Sequence, residues 1–79
     1  MTLSYDPHYN IAYIRFKEKS TNVETIRISD ELFVDMSSDG TIYGIELLNA
    51  REQLKSENGG KLSIINEATG KRAELNLDV

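Results

Sequence analysis

Cysteine is absent from the chain, which excludes disulfides, thiolate metal sites and sulfur nucleophiles at the outset. A single histidine leaves little material for imidazole chemistry. No apolar run approaches the ~18 residues of a membrane-spanning helix. The opening residues Met1-Thr2-Leu3-Ser4-Tyr5-Asp6 lack the basic and apolar regions of a secretory signal, so a cytoplasmic protein without membrane attachment is expected. Basic residues are also in the minority. Nine Lys and Arg stand against thirteen Asp and Glu, and the net charge of −4 opposes non-specific attraction to nucleic acid or anionic lipid. An acidic chain can still bind a basic protein partner.

What is present fits one small domain spanning residues 1–79. Scaling of surface with mass predicts roughly 4,800 Å² of accessible surface folded against about 13,000 Å² unfolded, enough for one core and little else. Stability must then come from packing, helped by self-association. The composition, 39% hydrophobic and 28% charged, lies on the polar side of ordinary, but its apolar residues recur in short alternating runs. Strands are expected at Thr2 to Tyr5, Ala12 to Phe16, Val23 to Ile28, Leu32 to Met36, Ile42 to Leu47, Lys61 to Ile65 and Lys71 to Val79.

Turn residues punctuate these runs. Asp6-Pro7-His8-Tyr9-Asn10 can reverse the chain, with Asn10 tolerating a left-handed conformation. Asp39-Gly40 between two apolar runs is the strongest hairpin signal. Gly44, inside a strand, marks a bulge or a close backbone approach. The one helical candidate runs from near Leu48 to Lys55 with Asn49 as its N-cap, and ends before Asn58-Gly59-Gly60. The expected fold is α+β and mostly β: an antiparallel meander with one short helix and a C-terminal hairpin at 61–79. An isolated hairpin is marginal in water, so this one should join the main sheet or pair with another copy of the chain.

Residues 5–50 resemble a family of short bacterial and archaeal proteins, the domain of unknown function twenty-two eighty-three. The resemblance rests on Tyr5-Asp6-Pro7, Ala12-Tyr13-Ile14-Arg15-Phe16, Val34-Asp35 with Asp39-Gly40, and Gly44-Ile45-Glu46-Leu47-Leu48 with Ala50. Where the usual pattern has an acidic residue before the second strand, this chain has Asn10. The resemblance implies a small partner protein, in some members beside small toxin genes, hence an antitoxin-like role. The tail from Lys61 to Val79 lies outside it as an extension.

Catalytic constellations are sparse. His8 beside Asp6 reads as a turn histidine, and no serine sits in a nucleophile elbow. Asp35, Asp39 and Glu46 offer oxygen ligands to a hard cation, but their spacing is not that of a calcium loop, and solvated strand positions are the simpler reading. Gly59-Gly60-Lys61 lacks the spacing of a phosphate loop. Arg15, Lys17 and Arg27 with Tyr13 make only an interrupted basic face. No cofactor, metal or catalytic residue is therefore expected.

An interface is the more informative candidate. If Ile14, Ile26, Ile28, Val34 and Leu47 form the core side of the sheet, Tyr13, Phe33 and Ile42 point away from it and need a cover. The reading is a non-enzymatic protein-interaction module, a homodimer with Tyr13, Phe33 and Ile42 as candidate interface. The competing class, a small metal-dependent or His-assisted enzyme, requires His8, Asp6, Asp35 and Glu46 to converge in one pocket.

Overall fold

The computed structural model describes residues 1–79. Seven strands carry the fold: β1 (Thr2–Asp6), β2 (Ile11–Arg15), β3 (Val23–Ser29), β4 (Leu32–Ser37), β5 (Ile42–Leu48), β6 (Lys61–Ile65) and β7 (Arg72–Asn76). One helix, α1 (Ala50–Leu54), follows β5, and a single 3-10 turn over Asn58–Gly60 leads into β6. The class is as expected: mostly β, antiparallel, with one short helix and a C-terminal hairpin.

Strands β1 to β5 form one sheet in the order β1-β2-β5-β4-β3, and β6-β7 form a separate two-stranded sheet. Two local pieces, the β1–β2 hairpin and the β3–β4–β5 meander, thus meet along β2 and β5. Residues 16–22 carry the chain from β2 to the far edge at β3.

Each local piece follows from its turn. Asp6 Oδ1 accepts the backbone N–H groups of His8 at 2.9 Å and Tyr9 at 3.4 Å, and Asn10 adopts φ 56°. Gly40 takes φ 89° in the second hairpin, a conformation open to glycine at no steric cost. There Asp39 Oδ1 accepts the Thr41 N–H at 2.9 Å and a bond from Ser37 Oγ. These bonds hold the exposed Asp39 carboxyl at about 2, below its ordinary 3.8.

Helix α1 is capped from a distance. Asn49 occupies the N-cap position in a left-handed conformation but makes no side-chain cap bond. Asn10 does so instead: its Oδ1 accepts the Arg51 N–H at 2.8 Å and its backbone oxygen accepts the Ala50 N–H at 3.0 Å. Its Nδ2 donates to Glu52 Oε2 at 2.8 Å, which lowers the Glu52 carboxyl below its ordinary value. The first hairpin turn and the helix are locked together by one residue.

The core is thin. Ala12 and Ala50 are the buried hydrophobic residues, and no large side chain is fully buried. The chain exposes 5964 Å², roughly 1,100 Å² above the ~4,800 Å² expected for a compact monomer of its mass. Its radius of gyration of 14.1 Å exceeds the ~11.6 Å expected for 79 residues.

Candidate functional site

Strand register sorts the sheet's side chains into two unlike faces, because residues paired across antiparallel strands point to the same side. One row runs across all five strands as Leu3, Ile14, Ile45, Val34 and Ile26. The adjacent row on that face is Tyr5, Ala12, Leu47 and Leu32. The opposite face carries Thr2, Arg15, Gly44, Asp35 and Thr25 in one row, and Ser4, Tyr13, Glu46, Phe33 and Arg27 in the next.

On the polar face, Asp35 is the organising residue. It is 5% exposed and not a solvated strand position, which corrects the expectation drawn from alternation alone. Tyr13 donates its hydroxyl to Oδ2 at 2.6 Å, Thr25 donates to Oδ1 at 2.6 Å, and Lys19 Nζ lies 2.8 Å from Oδ2. Lys19 belongs to the 16–22 connection, so that segment passes on this side of the sheet, and its ammonium also sits 5.3 Å from the Tyr13 ring centroid.

Burial by itself would raise the Asp35 carboxyl, but the bonds from Lys19, Thr25 and Tyr13 together outweigh it and hold the group below its ordinary value. Desolvation and the hydrogen bond to Asp35 raise the Tyr13 hydroxyl, and the hydrogen bond to Asp35 raises the Lys19 ammonium. The Asp35 carboxylate thus takes two side-chain hydrogen bonds and one ion pair from within the chain. The arrangement fastens a connection to the sheet.

Gly44 makes room for it. A Cβ there would lie on the Tyr13 hydroxyl, 2.5 Å from Tyr13 Cζ and 2.8 Å from the Ile14 carbonyl oxygen. Both expectations for this residue are met: the backbone is closely approached, and a register shift follows between the Asp35–Gly44 and Met36–Ile42 pairs.

That bulge divides the candidate interface. Tyr13 and Phe33 flank Glu46 on the polar face, and all three are half-buried. Ile42 pairs with Met36, next in chain to Asp35 and therefore on the opposite face, where it is 45% exposed. A second irregularity, between Arg27 and Ser29, makes Ile28 the extra residue of β3 and leaves it 60% exposed rather than on the core side.

The apolar face is only partly covered. Helix α1 covers one corner of it, packing against β2 with the Arg51 guanidinium 5.9 Å from the Tyr5 ring centroid. The row from Leu3 to Ile26 has no second layer: Leu3 is exposed and Ile14, Ile45, Val34 and Ile26 are only half-buried. With strands about 4.8 Å apart, the row spans roughly 19 Å between edge strands, so two such rows cover roughly 300 Å², the size of patch that marks an interaction surface on a small protein. Of this face, Ile14, Ile26, Val34 and Leu47 are expected together from the sequence, as a covered core. The signal that corrects it is the lack of any second amphipathic element long enough to cover five strands.

Of the residues of the enzymatic alternative, Asp35 and Glu46 occupy adjacent rows of the polar face on neighbouring strands, whereas Asp6 and His8 belong to the β1–β2 turn. Asp6 is engaged by its own turn, and the exposed His8 packs edge-on against Tyr9 at 4.5 Å. Asp35 is aligned with Arg15 and Asp6 with Ile11, positions four residues apart along β2, or about 14 Å. Asp39 lies in the β4–β5 turn, and no group of three His, Asp or Glu side chains is placed to hold a metal ion. An open recess of about 250 Å³ lies at the far end of the C-terminal hairpin, lined by Ile64, Asn66, Lys71, Arg72 and Ala73. No helix is long and apolar enough to cross a membrane.

Comparison with known proteins adds one finding. The sequence pattern of a family described as protein of unknown function (DUF2283) matches residues 3–51, from β1 into the first turn of α1. No curated protein and no solved structure matches the chain.

Proposed function

Since the chain belongs to the DUF2283 family, whose description carries no activity, we propose from its surfaces that it is a non-enzymatic protein-interaction module acting as a homodimer. The observation that carries this reading is the uncovered apolar row Leu3, Ile14, Ile45, Val34 and Ile26 on a chain exposing 5964 Å². The excess of roughly 1,100 Å² over a compact monomer is comparable to the ~800 Å² that each partner buries in an interface of standard size. Burying it in a dimer stabilises the fold by the same hydrophobic term that a larger core would supply.

Self-association by this face leaves the polar face and the outer edges of β1 and β3 for a different partner. Strand addition to either edge, steered by the net charge of −4, suits an extended basic segment. An antitoxin-like capture of a protein partner is an activity of this kind. The enzymatic alternative requires all four of its residues in one pocket, and Asp6 and His8 lie apart from the Asp35 and Glu46 pair.

Sedimentation equilibrium over a wide dilution series tests the dimer. The expected result is a mass near 18 kDa, twice the 8.9 kDa chain, that dissociates on dilution. A mass of 8.9 kDa at every concentration would overturn the reading.

A further inference from the structure

The C-terminal hairpin presents a second uncovered apolar face. Leu62 pairs with Leu75 and Ile64 with Ala73, so these four share one side, while Lys61, Ser63, Ile65, Arg72, Glu74 and Asn76 share the other. Leu62 is 41% exposed, and Ile64 and Leu75 are each 53% exposed. Every residue of β7 is exposed, and the hairpin joins no strand of the five-stranded sheet. A two-stranded hairpin this short does not hold its shape in water without something against its apolar side.

Its base is nonetheless fixed. Asn58, Gly59 and Gly60 take φ of 55°, 61° and 85° in succession, giving the chain a sharp change of direction after α1. Gly60 is buried against the Lys55 side chain, and its carbonyl accepts the Leu77 N–H at 3.0 Å. The hairpin is thereby held out as an arm. Each chain thus carries one uncovered apolar sheet face and one uncovered apolar arm.

We propose that the homodimer exchanges these arms: the Leu62–Ile64–Ala73–Leu75 side of each β6–β7 hairpin lies across the Ile14–Val34–Ile45 face of the other chain's sheet. The proposal rests on the self-association argued above and names its occupant. Dimensions fit, since a five-residue hairpin is about 17 Å long and two strands wide, matching the central strands of the receiving sheet. Charge also favours arm on sheet over sheet on sheet. Lys61, Lys71 and Arg72 balance Glu67, Glu74 and Asp78, so residues 61–79 are neutral and the whole −4 resides on residues 1–60. Two bodies stacked directly would bring like net charges together, whereas a neutral arm does not. Reciprocal exchange is closed and two-fold, so both apolar faces of both chains are covered at once.

Two single variants of the full chain, Ile45→Glu on the sheet and Leu75→Lys on the arm, test this by sedimentation equilibrium, with circular dichroism confirming that each is folded. Each variant alone places an uncompensated charge in both contacts and weakens self-association by at least about a hundredfold. An equimolar mixture regains a mass near 18 kDa, because one contact is native and the other pairs the introduced carboxylate with the introduced ammonium. Val34→Glu replaces Ile45→Glu if the latter does not fold. A Leu75→Lys variant that dimerises as the unaltered chain does would overturn arm exchange while leaving self-association standing. So would a mixture that stays monomeric. An unaltered chain that is monomeric at all concentrations would overturn both.

Discussion

Gly44→Ala tests the internal logic of the polar face, because the consequence of one added methyl group is set by known neighbours. The new carbon would lie on the Tyr13 hydroxyl, 2.5 Å from Cζ and 2.8 Å from the Ile14 carbonyl oxygen. The ring can swing aside, but the carbonyl moves only if the β2–β5 ladder moves. Displacing the ring breaks the 2.6 Å bond to Asp35 and takes the aromatic face from Lys19. A hydrogen bond to a charged group contributes about 1.5–3 kcal/mol, and overpacking costs about 1–3 kcal/mol. Replacing glycine inside a strand returns roughly 0.5–1 kcal/mol. The net expectation is a loss of about 1.5–5.5 kcal/mol, which for a domain of this size lowers Tm by about 6–44 °C. Thermal unfolding should be followed at one fixed protein concentration, since association shifts Tm. In a Tyr13→Ala background the same substitution meets only the backbone and costs at least ~1 kcal/mol less. An unchanged Tm for Gly44→Ala, or an equal cost in both backgrounds, would refute the packing of Tyr13 over Gly44.

Asn10→Ala removes the cap supplied to Arg51 and the bond to Glu52, and should cost about 0.5–2 kcal/mol in chemical denaturation; an unaltered midpoint would show that α1 does not depend on the first hairpin turn. Asp35, Asp39 and Glu52 are all held below their ordinary values, so the folded chain binds fewer protons than the unfolded one in acid. Their contribution to stability is complete above about pH 5 and is lost as pH falls towards about 2, and a urea midpoint that stays level down to pH 2 would contradict it. Asp39→Asn should flatten part of that acid decline. His8→Ala, at an exposed turn position, should leave Tm within the change equivalent to about 0.5 kcal/mol, and a larger loss would reveal a role for the imidazole that its surroundings do not suggest.

Local features of the fold were readable from the sequence because each rests on neighbouring residues. All seven strands lie where alternation and turn residues put them, with ends differing by up to three residues. Asn10 and Gly40 adopt the left-handed conformations their turns require. Strand partnership was harder, since period two assigns faces but does not say that β5 returns to lie between β2 and β4. Bulges after Asp35 and Arg27 then moved Ile42 to the opposite face and left Ile28 exposed, and a one-residue insertion in a ladder carries no strong compositional mark. Asp35 read as a solvated strand residue because its concealment comes from Lys19 and Tyr13, brought over it by a connection whose path depends on that strand order. Asn10 likewise caps a helix some forty residues away, a pairing that only the tertiary structure creates.

On the proposed assembly, a second copy of the chain covers the apolar sheet face. An isotope-filtered NOE experiment on a dimer mixed from labelled and unlabelled chains observes that contact directly. Intermolecular cross-peaks to the methyl groups of Ile14, Val34 and Ile45 are expected. Cross-peaks confined to single chains, at concentrations where the protein is shown to be associated, would contradict it.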